Sequence, residues 1–147
     1  RWKPFLMTNG TMEVQLMMNE TERTVYHLIC GWRRLIAEKD FYEAQSDLYT
    51  QVKYERVEQF DRLQILLENL MRLLTIDERY VIKRHLVDGL DWNCIEYEYN
   101  HKLLRSAPKS RSTLRRLQNS AIVKMAQYIE KSADDTVHLG IAIAVKY

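Results

Sequence analysis

A chain of 147 residues with 46% apolar and 29% charged residues has the make-up of one soluble globular domain, or one small domain with an extension. Four glycines and two prolines leave few interruptions, which favours helix. No apolar run approaches a membrane span and no signal peptide is legible, so a cytoplasmic location is expected. There is no P-loop, GxGxxG, nucleophile elbow or HExxH, so we expect a non-enzyme without catalytic residues, metal or cofactor.

Residues 1–18 form an N-terminal arm. Asn9-Gly10 stands between the apolar arms Phe5-Leu6-Met7 and Met12 to Leu16. That pattern reads as a hairpin or as a partly ordered terminus. Residues 19–74 read as a helical support or dimerisation region. The pair Asn19 and Glu22 predicts a cap, and Val25, Leu28, Ile29, Trp32, Leu35 and Ile36 predict a helix to Glu38. Asp40 with Glu43 suggests a restart after a short break. A second helix is expected over 52–74, where Phe60, Leu63, Leu67, Leu70 and Leu74 make an a/d seam over two heptads. The helix at 19–38 or a second copy of the chain would cover that seam. Cys30 and Cys94 are expected as buried apolar residues of a reducing compartment. His27 and Cys30 lack a second pair at metal-ligand spacing.

Residues 75–131 carry the functional signal. Thr75 and Glu78 spell a capping box, Val81, Ile82, His85 and Leu86 share an inner face, and Gly89 suits a left-handed stop. Asp91 is placed to cap a short second helix bearing Trp92, Ile95 and Tyr99. A third helix from about Ser110 to Lys131 has the stripe Leu114, Leu117, Ala121, Met125 and Tyr128. Its opposite face carries Ser112, Arg116 and Asn119, with Arg115 on the shoulder. Tyr99 to Ile129 contains no acid but seven bases, Lys102, Arg105, Lys109, Arg111, Arg115, Arg116 and Lys124. Without those seven, 15 bases face 20 acids, so the near-neutral total hides a polarised molecule. A one-signed basic helix on an acidic remainder is the footprint of a polyanion partner.

Asp77 to Ile82, Gly89-Leu90-Asp91-Trp92 and Ser112 to Leu117 resemble region four of bacterial sigma factors. They resemble more closely the phage late-gene activators of the RinA/ArpU kind. The resemblance implies a helix-turn-helix that reads double-stranded DNA, in a mainly α protein whose helical N-terminal half would dimerise or touch RNA polymerase in a bacterial host. On this reading Ser112, Arg115, Arg116 and Asn119 face base edges in the major groove. Lys102, Arg105, Lys109, Arg111, Thr113 and Lys124 then serve phosphates. The segment Asn100 to Lys109 exceeds the usual three- or four-residue turn. Either the second helix runs on into it, or the turn carries an insertion. Residues 132–147 change character: Val137, Leu139, Ile141, Ile143 and Val145 alternate as in a short C-terminal β-strand or hairpin, which must pair elsewhere or remain a tail. The competing readings are a small-terminase-like packaging subunit and a helical interaction module that binds no DNA.

Overall fold

Asn19 opens the first helix by accepting the Glu22 amide on its side chain at 2.8 Å. The computed structural model describes residues 18–45, 50–103 and 107–132. The expected hairpin at 5–16, the strand at 137–145 and Arg105 lie outside them. The described residues are mainly α-helical, and no strand occurs among them. Helix α1 spans Glu20–Cys30 and α2 Trp32–Ala44. The break expected near residue 39 instead falls at Gly31, where ψ is 2°. Glycine propagates a helix poorly, and the sequence beyond it, through Asp40 and Glu43, continues as α2 without a stop.

Helix α3 spans Thr50–Arg72. Its seam residues Phe60, Leu63, Leu67, Leu70 and Leu74 are all buried, and α2 packs along α3. Lys39 reaches Asp61 at 2.6 Å, and Tyr42 packs on Phe60 at 5.9 Å between ring centres. The seam is therefore covered from within the chain, and burying its side chains contributes roughly 1.5–3 kcal/mol each. Ile36, placed on the buried stripe by sequence, is exposed.

Helix α4, Ile76–Val81, begins with the expected capping box: the Thr75 hydroxyl accepts the Glu78 amide, and Glu78 Oε1 accepts the Thr75 amide at 2.9 Å. It widens into a π-helical turn, Ile82–Val87, and stops at Gly89, whose φ of 73° suits a residue without Cβ. Helix α5, Trp92–Glu98, is capped by Asp91 and runs on as a second π turn, Tyr99–Leu103. Helix α6 spans Arg111–Lys131 behind the Ser110 cap.

Two apolar clusters result. The larger joins Val25 and Ile29 of α1, the α3 seam, Ile82 and Leu86, and Ala121, Ile122, Met125, Ala126 and Ile129 of α6. The smaller joins Val81, Ile95, Tyr99 and Leu114, with Trp92 and Leu117 packed against it. Both α4 and α6 contribute to both clusters, so packing continues across residue 74. Ala121 sits in the larger cluster, apart from Trp92 and Ile95. The buried stripe of α6 runs through Gln118, Ile122 and Ile129, and Tyr128 is exposed. Cys30 packs on the larger cluster, and burial pushes its thiol up to about 12. Cys94, expected inside, is exposed because it sits on the outer side of the short α5. Among the described residues no helix is long and apolar enough to cross a membrane.

Three carboxylates tie the helices together. Glu78, only 2% exposed, accepts from Lys124 Nζ at 2.7 Å. Asp88 accepts from Arg33, Lys83 and Arg84 at 2.6, 3.2 and 2.8 Å. Glu98 accepts from Arg84 Nε at 2.9 Å and from the Tyr80 hydroxyl at 2.7 Å. Burial alone would raise Glu78 and Asp88. The bonds from Lys124 and Thr75 to the first, and from Arg84 and Lys83 to the second, outweigh it and hold both below the ordinary carboxylate value. The Arg84 bond, then the Tyr80 bond, lowers Glu98 as well.

Each folded-state value is depressed, so the stabilisation is present above the unfolded carboxylate values, about 3.9–4.3, and is lost as pH falls through the folded values. Denaturant midpoints should decline gently below about pH 6.5, where unfolding lets His85 and His27, both held low by burial, take up protons, and more steeply below about pH 4 as the carboxylates protonate. Lys124→Ala should cost about 1–3 kcal/mol, because it strips a charged partner from a buried carboxylate. A midpoint for Lys124→Ala equal to wild type at pH 7 would show that the pair contributes nothing.

Candidate nucleic-acid interface

The start of α6 is fixed locally. The Ser110 hydroxyl accepts the Thr113 amide at 3.2 Å and lies 3.0 Å from the Thr113 hydroxyl. Behind this cap, Leu114 is fully buried, Gln118 nearly so and Leu117 partly. That burial turns Ser112, Arg115, Arg116 and Asn119 outward, and all four are exposed. Their spacing of three and four residues puts them on one face. The four residues expected to read bases thus share one exposed surface on a helix whose other side is anchored.

The flanking bases divide. Lys102 is exposed on the π extension of α5. Lys109 lies half-buried with its ammonium 5.9 Å from the centre of the Tyr99 ring. Arg111 donates to the side-chain oxygen of Asn93, which ties the start of α6 to the start of α5. Thr113 is half-buried and engaged with Ser110. Lys124, expected at phosphates, is instead committed to Glu78, 46 residues away in sequence. Charge counting placed it in the basic set. The carboxylate that takes it up is visible only once α4 packs on α6.

The long connector has a specific solution. The α5 body runs on through Tyr99–Leu103, as one of the two alternatives required. Asn100 then closes what remains. Its Oδ1 accepts the Lys109 amide at 2.8 Å and its Nδ2 donates to the Lys109 carbonyl at 2.9 Å. One side chain pairs both backbone groups of a residue nine positions on, as a strand neighbour would. Helix α6 therefore starts beside Asn100 as though the turn were short. Nothing in the local pattern announces this, because an Asn within a polar connector is ordinary.

A second feature escaped the sequence. Arg115 Cζ lies 5.6 Å from the Trp92 ring centre, and Trp92 packs on His85 with centres 4.1 Å apart. His85 Nδ1 in turn bonds Gln118 Oε1. Burial, ahead of the Arg115 charge, holds His85 below the ordinary imidazole value, although the Gln118 bond works the other way. His85 is thus the satisfied inner-face histidine that its position on α4 suggests.

No protein-family model, no curated protein and no solved structure gives a significant match to this chain.

Asn100→Ala should lower stability by about 1–3 kcal/mol, since it removes two bonds from partly buried backbone groups. Hydrogen exchange reads the effect directly. Protection of the Lys109 amide should collapse while that of Met125, deep in the larger cluster, changes only with global stability. Unchanged Lys109 protection would mean the clamp does not hold the connector.

Proposed function

We propose that this chain is a sequence-specific regulator of transcription that binds double-stranded DNA, with α5 and α6 as a helix-turn-helix and α6 in the major groove. The observation that carries the reading is the exposed face Ser112, Arg115, Arg116 and Asn119 on a helix that has no acid from Arg111 to Ile129 and is anchored from behind. From Ser112 to Asn119 the helix rises about 10 Å, roughly three base steps along one strand. Arginine can grip guanine O6 and N7 with two bonds, and asparagine can do the same for adenine. Lys102, Lys109, Arg111 and Thr113 border that face and suit phosphates, which position the helix without specifying sequence. Three nearby carboxylates, Glu78, Asp88 and Glu98, are paired with Lys or Arg, which lessens their repulsion of a phosphate backbone.

The resemblance to RinA/ArpU-like activators extends the proposal to phage late genes, read in the cytoplasm of a bacterial host with RNA polymerase as a second partner. Self-association would match two half-sites. Because the α3 seam is covered by α2 within the chain, that contact belongs to another surface.

Binding to a random duplex pool, with competitor DNA and a salt series, tests the reading. Arg116→Ala and Asn119→Ala should each weaken the selected sequence by about 1–3 kcal/mol and relax preference at one or two positions. Lys102→Ala should weaken all duplexes alike and reduce the salt slope by about 1. Wild-type discrimination in both Arg116→Ala and Asn119→Ala would overturn the assignment of the reading face. A wild-type chain that selects no sequence at all would overturn the function.

A further inference from the structure

Gln118 is a buried polar side chain on an otherwise apolar stripe of α6. A buried amide is costly unless it is hydrogen-bonded, and a leucine there would continue the packing. Its bond to His85 supplies the compensation, and His85 leads onward. The imidazole packs on the Trp92 indole at 4.1 Å with 31° between planes. The same indole lies 5.6 Å from the Arg115 guanidinium. The path leaves α6 at Gln118, crosses α4 at His85 and α5 at Trp92, and returns to α6 at Arg115, three residues before its start. It is a closed circuit through three helices that ends on one member of the exposed face.

The chemistry of the circuit suits the presetting of a cation. An indole face attracts a cation through its quadrupole, and arginine stacks on it as well as being held electrostatically. The imidazole against that indole is neutral at ordinary pH, because burial disfavours its charged form, so it does not compete as a second cation. An exposed arginine otherwise spreads over many rotamers and must surrender them on binding. A guanidinium already docked on a ring surrenders fewer, and its plane is set before a base arrives.

We propose that Trp92, His85 and Gln118 form a positioning unit that presets Arg115, so that base choice at the Arg115 contact is decided by residues off the reading face. The proposal rests on the DNA-reading function above and names a specificity determinant within it. Trp92 is a positioning residue here, and Arg115 is the group that touches the base.

The test is sequence selection by the full chain from a random duplex pool. It compares wild type, Arg115→Ala, Trp92→Met, Trp92→Phe and Gln118→Leu, each checked for native helix content. Arg115→Ala should flatten preference at one base pair. Trp92→Met should reduce preference at that same pair by about 3- to 10-fold, the scale of a cation–π contact, with affinity for unselected duplex and the salt slope unchanged. Trp92→Phe, which keeps a smaller ring, should retain part of the preference, and Gln118→Leu should lose part. Trp92→Met combined with Arg115→Ala should lose no more at that pair than Arg115→Ala alone. In the free protein, the Arg115 δ-methylene protons should show an indole ring-current shift that Trp92→Met abolishes.

Wild-type preference at that pair in folded Trp92→Met would overturn the proposal. So would a loss spread evenly over all positions, which is what a merely structural role produces. If Trp92→Met does not fold, Trp92→Phe and Gln118→Leu decide by the same two criteria. A wild-type chain that selects no sequence overturns the DNA reading itself, and this proposal with it. That outcome is separate, because it appears before any variant is compared.

Discussion

One helix serves two cores. The first half of α6 buries Leu114 against Val81, Ile95 and Tyr99, and the second half buries Ala121 to Ile129 against α1, α3 and α4. A helix anchored at only one end would leave the other free to pivot. Anchored along both halves, it fixes the direction in which Ser112, Arg115, Arg116 and Asn119 point. The Glu78 carboxylate closes the arrangement. It receives the Thr75 amide at the start of α4 and the Lys124 ammonium from the middle of α6. The bond that lets α4 begin is therefore made to the same atom that holds α6 in register.

A buried carboxylate with a partly exposed partner is an uncertain stabiliser, since desolvation offsets much of the attraction. Its contribution to geometry is firmer. An apolar contact tolerates sliding by an ångström or so, whereas Glu78 Oε1 has two donors at 2.7 and 2.9 Å that both need their direction kept. The same logic applies on the other side of α4, where Arg84 bridges Asp88 and Glu98. Asp88 also takes Arg33 from α2. The short helices α4 and α5 bury few large side chains, and these directional bonds set their angle where packing alone would leave slack.

What was legible in the sequence was local. The capping box at Thr75, the caps Asn19 and Asp91, and the stop at Gly89 follow from rules that reach three or four residues. The outward face of α6 was legible too, because charge and apolar residues alternate at helical period there. The lower part of the same helix was misjudged. Tyr128 and Ile129 are both large and apolar, and periodicity drawn straight from Leu114 chose Tyr128. The buried face turns toward Ile122, Ala126 and Ile129 as the helix passes from one cluster to the other. Lys124, Asn100 and Trp92 share a different obstacle. Each takes its role from a partner distant in sequence and brought close only by the fold, and residue type alone does not name that partner.

The leucine seam shows how far such a pattern reaches. Seven-residue spacing of Phe60, Leu67 and Leu74 states that a helix needs a cover, and it is silent on which surface provides one. Helix α2 provides part of it, with α1 and the second half of α6 in the same cluster, and the mixed character of α2 is why the sequence left the matter open. It buries Leu35 and half-buries Tyr42, yet it leaves Ile36 and Phe41 outside. A cover need not be strongly amphipathic when the seam it meets is, because the apolar area removed from water counts on both sides of the contact. The N-terminal half is therefore better understood as the buttress of α6 than as a coiled-coil strand awaiting a second chain. The helical N-terminal half thus buttresses α6. It holds the lower turns of α6 and so fixes the direction of the upper ones.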